Sequence, residues 1–363
     1  MKDWKKEGFA SEEALALELQ ELYRRFGYKK FKMSRFEEYD LYLQNKNFLV
    51  CDNVITFNDT NGRLMALKPD VTLSIVKNSA GTENTLEKVY YNENVYRVSA
   101  RTHEFKELTQ TGLECIGDVD LYVMGEVILL AAKSLGLISD HYILDISHMG
   151  IVSGMLDEMQ CGDQAKGELL PLIGRKNIDD ILRCCERNGI AGEDARKLAE
   201  LAGLYGPFQQ VLNTIKTICT GPKTAGAVEE LDGIYRILES AGCADHIHLD
   251  FSIVNDMSYY NGVIFQGFIE GIPGGVLSGG RYDRLLHRMG KSAGAIGFAV
   301  YVDMLEYIHH EAGKNDVDVL LLYGEHTDPA RIAAEAERLI SAGESVRASK
   351  TEDSIRFGRQ ITL

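Results

Sequence analysis

Thr109-Gln110-Thr111-Gly112-Leu113-Glu114 is the stretch on which the reading of the fold turns. It lies in a strand-like run over residues 105–116, and a second such run covers 88–98. The connector 99–104 is polar, so the two runs read as an antiparallel hairpin. Strand side chains alternate between faces, which puts Gln110, Gly112 and Glu114 on the same side. Gly112 carries no side chain and would leave a hollow between an amide and a carboxylate. Such a hollow suits a small cation-bearing ligand such as an amino acid. A solvated strand face is the competing reading.

Working outward, Leu15, Leu19, Leu22 and Phe26 form one apolar helix face, with Ser11 as N-cap and Gly27 as the stop. Asn58-Asp59-Thr60-Asn61-Gly62 is a turn between short strands. Lys68-Pro69-Asp70 opens a helix through Asn78, where Asp70 and Thr72 read either as caps or as ligand groups. A helix over 120–135 and a strand over 142–147 follow. Residues 160–244 read as a helical insertion broken by glycines. Strand patterns resume at 248–253, 258–267 and 275–278. Tyr259 and Tyr260 then fall side by side on a strand, one facing in and one out. Ser278-Gly279-Gly280-Arg281-Tyr282-Asp283 reads as a Gly-rich turn that presents amides and an Arg at a helix N-terminus, a place for an anion. Residues 317–363 form a βαβ start. Hairpin-joined strands with helices gathered outside imply an α+β fold, an antiparallel sheet covered by helices.

Bulk properties narrow the function. The chain has 363 residues, 45% of them hydrophobic, enough for a sizeable core. Its net charge of −15 argues against a broad phosphate-binding face. No apolar run approaches the ~18 residues that cross a bilayer. The charged start Met1-Lys2-Asp3-Trp4 is no signal peptide, so the cytoplasm is the expected compartment. Seven scattered cysteines without a CxxC pair predict no metal site. Neither a Walker A pattern nor a GxGxxG after a strand is present, and no cofactor is expected.

Taken in order, several segments resemble the class II aminoacyl-tRNA synthetase core, specifically histidyl-tRNA synthetase. Ser34-Arg35-Phe36-Glu37 sits where motif 1 would be, and Leu67-Lys68-Pro69-Asp70-Val71-Thr72 resembles the L-R-P-E-G-T segment. Val95-Tyr96-Arg97 through Gln110–Glu114 resembles motif 2. Ser258-Tyr259-Tyr260-Asn261 and Gly279-Gly280-Arg281-Tyr282-Asp283 resemble the histidine-specific segments, and Gly297-Phe298-Ala299 the start of motif 3. The resemblance covers about residues 8–312, read as one core with the insertion at about 160–244. Residues 317–363 are similar to the first half of the anticodon-binding domain, and no tRNA partner is expected.

Most of the departures concern cations. Val98-Ser99 follows Arg97 where motif 2 reads R-x-E, Glu104 and Lys106 stand near its loop arginines, Met304 replaces the motif 3 Arg, and Asn255 replaces the catalytic Arg. Adenylate formation spreads negative charge over phosphorus, and removing one preorganised group costs about 2.7–4 kcal/mol. Efficient activation is therefore not expected. By resemblance, Asp70, Thr72 and Gln110 would meet a histidine α-ammonium, and Glu114 and Tyr260 the imidazole. Arg97, Tyr259, Arg281 and Tyr282 would complete the site. The pattern resembles the regulatory subunits of ATP phosphoribosyltransferase, non-aminoacylating relatives of histidyl-tRNA synthetase. That resemblance implies a short-form catalytic subunit as partner, histidine as feedback effector and a synthetase-like dimer. A divergent synthetase, or a paralogue that activates an amino acid with ATP, is the alternative.

Overall fold

The computed structural model describes residues 11–49, 54–82, 85–98, 104–254, 259–305, 315–352 and 355–363. Asn255, Ser258, most of the 99–104 connector and residues 306–314 lie outside them. The chain divides into two compact units, Met1–Tyr307 and Ile308–Leu363.

In the first unit, helix α1 (Ser11–Arg25) leads to the short strand β1 (Lys29–Lys30). A small antiparallel sheet follows, made of β2 (Phe36–Glu38), β3 (Thr56–Asn58) and β4 (Leu64–Leu67), with helix α2 (Tyr39–Gln44) between the first two. Helix α3 (Thr72–Asn78) then delivers the chain to the hairpin, β5 (Leu86–Val98) and β6 (Phe105–Gly117), paired from Leu86↔Gly117 to Val98↔Phe105. Eight residues from Gln110 onward in β6 are buried.

Helix α4 (Leu121–Ile138) is capped by the Asp120 side chain, which accepts from the Val123 amide at 2.8 Å. By length and composition it could cross a bilayer, contrary to the sequence expectation. Its apolarity has a different cause. It packs between the sheet and a later helix, and its Ser134 hydroxyl meets Tyr23 of α1 at 3.0 Å.

Strand β7 (Tyr142–His148) and helix α5 (Met149–Glu158) precede a helical stretch. It comprises α6 (Asp163–Gly174), α7 (Ile178–Arg187), α8 (Gly192–Gly203), α9 (Phe208–Ile218) and α10 (Pro222–Ser240). Within it Tyr205–Pro207 forms an edge strand, β8, on the main sheet. The remaining strands of that sheet are β9 (Ile247–Asp250), β10 (Val263–Ile269), β11 (Leu277–Arg281) and β12 (Gly294–Tyr301), with the short helix α11 (Asp283–Arg288) before the last. The order across the sheet is β1-β5-β6-β12-β11-β10-β7-β9-β8. All pairings are antiparallel except β1–β5 and β7–β9. One face carries α1 and α4. The other carries the polar residues of β6 and opens toward α3.

The second unit has a parallel sheet, β14 (Val346–Ser349), β13 (Val317–Leu322) and β15 (Phe357–Thr362) in spatial order. Helix α12 (Pro329–Ser341) connects β13 and β14 and is capped by Asp328, with Pro in its first turn. Val319, Leu320 and Leu321 are its buried centre.

Candidate ligand site

A cavity of about 340 Å³ opens on the open face of the main sheet. Strand alternation brings Gln110 and Glu114 of β6 to it, and the start of α3 brings Thr72 with Asp70 just before it. The loop before β10 contributes Tyr259 and Tyr260, the turn after β11 contributes Tyr282, and β5 contributes Arg97.

Glu114 is the best-held group. Thr72 Oγ1 donates to its Oε1 at 2.8 Å and Tyr282 Oη to its Oε2 at 2.5 Å. Burial pushes its carboxyl up to about 8, against the pull of those two hydrogen bonds. Asp70 is raised for the same reason, with the Leu73 amide and Arg97 acting the other way. Its Oδ1 accepts from the Leu73 amide at 2.9 Å, so it caps α3 and faces the cavity at once. Two buried acids with few cations beside them form a site short of positive charge. Arg97 is the one basic side chain among the described lining residues, and its Nε is spent on the Pro69 carbonyl at 3.1 Å.

Several sequence expectations need correction. Arg281 does not line the cavity. Glycine 280 faces Tyr260, so the next residue of β11 turns to the helix-covered face, where Arg281 Nη1 reaches the Met124 sulfur at 3.4 Å. The Gly-rich segment is not a turn at a helix N-terminus. It is strand β11, and its residues pair with β10 and β12, leaving no amide nest for an anion. The glycines answer a packing demand instead: a Cβ at Gly280 would lie 2.8 Å from the Tyr260 ring, and one at Gly279 would lie 2.3 Å from the Gly297 carbonyl. Tyr259 and Tyr260 precede the strand rather than belong to it. Freed from alternation, both line the cavity, with ring centroids 4.5 Å apart. Nor does Gly112 leave a hollow. Its missing Cβ makes room for the Tyr91 hydroxyl and the Phe298 carbonyl.

Tyr91 is a lining residue that sequence reasoning missed, along with Phe48, Ser278 and Tyr301. Tyr91 was within reach: it pairs with Gly112 across the hairpin and so shares its face. Ser278 and Tyr301 hydrogen-bond at 2.5 Å across β11 and β12, a contact that needs the sheet order to be foreseen.

The histidyl-tRNA synthetase family profile matches residues 1–305. An ATP phosphoribosyltransferase regulatory subunit from Caldanaerobacter subterraneus is 34% identical over 290 residues, covering 78% of this chain and 74% of that one. The chain belongs to this family of regulatory subunits, built on the histidyl-tRNA synthetase fold. A solved ATP phosphoribosyltransferase regulatory subunit/histidyl-tRNA synthetase from Bacillus halodurans superimposes with a TM-score of 0.80 at 24% identity, covering 100% of this chain and 95% of that one. A chain of the HisG:HisZ ATP phosphoribosyl transferase complex from Thermotoga maritima aligns with a TM-score of 0.64 at 18% identity, over 81% of this chain and 98% of that one. At those identities the likeness is one of fold. In this regulatory subunit the motif 3 position carries Met304, in a single 3-10 turn, Val302–Leu305. The neighbouring Asp303 carboxylate accepts from the Thr109 amide at 2.6 Å. By the resemblance to motif 3, an acid bound to backbone stands in the region where adenylate chemistry would call for a cation.

Proposed function

We propose that this regulatory subunit senses free histidine in the β6–α3 cavity and passes that signal to the short-form catalytic subunit of ATP phosphoribosyltransferase. The observation that carries the reading is the Glu114 carboxyl, buried and clamped by Thr72 and Tyr282 at the wall of a cavity lined by aromatic rings. A buried acid of this kind recognises a positively charged or proton-donating ring, and Asp70 and Gln110 beside it suit an α-ammonium. The scarcity of lining cations disfavours a nucleotide triphosphate in the same space. Histidine is then an effector rather than a substrate. Its inhibition requires that the assembled enzyme have two states that bind it with different affinities. Self-association as a synthetase-like dimer belongs to the same proposal. It is supported by the half-exposed aromatic and aliphatic side chains Phe36, Phe57 and Leu64 on the small sheet.

The test is phosphoribosyl-ATP formation by the catalytic subunit, with and without this chain, under a histidine titration. Activation by the chain and inhibition by histidine are the expected results, with inhibition lost in Glu114→Ala. Histidine-dependent ATP–pyrophosphate exchange by the chain alone would instead establish the amino-acid-activating alternative.

A further inference from the structure

On the helix-covered face of the sheet, a chain of polar side chains runs from the helical stretch to the back of the cavity. It starts at His148, whose Nδ1 accepts from the Gly150 amide at 3.0 Å. That bond fixes the tautomer, so Nε2 carries the hydrogen and donates to Glu230 Oε1 of α10 at 2.8 Å. The other oxygen of Glu230 stands 3.8 Å from Arg281 Nη1. Arg281 Nε donates to Asp283 Oδ2 at 2.8 Å. Asp283 ties the ends together: its Oδ2 accepts from Asn261 Nδ2 at 3.0 Å, its Oδ1 from the Ala295 amide at 2.9 Å, and its own amide donates to Asn261 Oδ1 at 2.9 Å.

None of His148, Glu230, Arg281 and Asp283 lines the cavity. Yet Asn261 directly follows Tyr259 and Tyr260, and Asp283 directly follows Tyr282. The same carboxylate therefore holds the two segments that supply three of the cavity's phenol rings. We infer that Glu230 is a positioning residue for the effector site, acting through Arg281 and Asp283 on the Tyr259–Asn261 loop and on Tyr282. Arg281 is a cation shared between two carboxylates. With Glu230 neutralised, Arg281 has one anionic partner on one side only, and the fork that orients Asp283 loses its second anchor. Side-chain networks of this kind are coupled, so the effect reaches beyond the bond removed. The inference also gives α10 a part in sensing, since it carries Glu230.

This rests on the proposed histidine reading, and the experiment separates the two. Glu230→Gln keeps the shape and the contact with His148 and removes the charge facing Arg281. A control on the same helix is Asp232→Asn, whose carboxylate pairs instead with Lys216 and Arg236. Two readouts are taken on the full chain assembled with the catalytic subunit. One is the histidine concentration for half-inhibition. In Glu230→Gln it rises about tenfold while the uninhibited rate holds, and in Asp232→Asn it stays put. The other is hydrogen exchange without histidine, which quickens at the amides of Asn261 and Asp283 in Glu230→Gln alone. Unchanged exchange at those two amides, or faster exchange spread along α10 in both variants, overturns the inference. A wild-type chain blind to histidine overturns the sensing proposal, while the exchange measurement still decides the role of Glu230.

Discussion

Gly297 lies against the Glu114 carboxylate, where a Cβ would come 1.7 Å from Oε2. No side-chain rotation on the glycine's part can relieve that contact, so Gly297→Ala must expel the carboxylate from between Thr72 and Tyr282. Calorimetry on this variant is expected to show histidine affinity reduced by at least about 100-fold, the loss of a charge-assisted contact of ~3 kcal/mol. Glu114 also has a pH signature. Its folded value, about 8, lies above the ordinary 4.5, so the native state holds the proton more tightly than the unfolded chain. The stability it contributes is full below pH about 4.5 and is lost as pH rises through about 8. Thermal melts of Glu114→Gln between those limits should fall less steeply with rising pH than those of the wild type. An equal slope in both would show that Glu114 is ionised in the empty site.

At the scale of elements, α3 is anchored by the residues just before it. Lys68 is fully buried and its ammonium meets Glu93 of β5 at 2.6 Å. Its carbonyl accepts from the Tyr96 amide at 2.9 Å. Lys68→Ala leaves the partly buried Glu93 without its cation and should cost about 3 kcal/mol in urea unfolding. Lys68→Met, which keeps the stem, should cost less. The hairpin and α4 were legible in the sequence because alternation and helical period are local signals. Asp70, Thr72, Gln110, Glu114 and the three tyrosines could be named, yet what holds them could not. The Gly279-Gly280 pair looks the same in sequence whether it bends the chain or lets Tyr260 and Gly297 approach a strand. Arg281 was assigned to the cavity by resemblance, and the turn reading of its strand gave no alternation by which to reject it. The Asp283 fork joins residues 22 positions apart in one direction and 12 in the other, which no local pattern encodes.

Across the whole molecule, every lining residue of the cavity falls between Phe48 and Tyr301, inside the first compact unit. The second unit has its own parallel sheet and its own buried centre. A chain ending at Tyr307 is therefore expected to bind histidine with unchanged affinity by calorimetry. A large loss would mean that the second unit shapes the site. The tyrosines of the cavity have one more consequence. Tyr259 stands 4.5 Å from Tyr260 and 5.9 Å from Tyr282, centroid to centroid, at interplanar angles of 60° and 43°. Rings that close share their electronic excitation, and the chiral signal they give depends on their mutual distances and angles, over a background set by one tryptophan and seventeen tyrosines in the chain. The near-ultraviolet circular dichroism of this protein thus carries an intrinsic optical report of whether its cavity is filled, readable without a label.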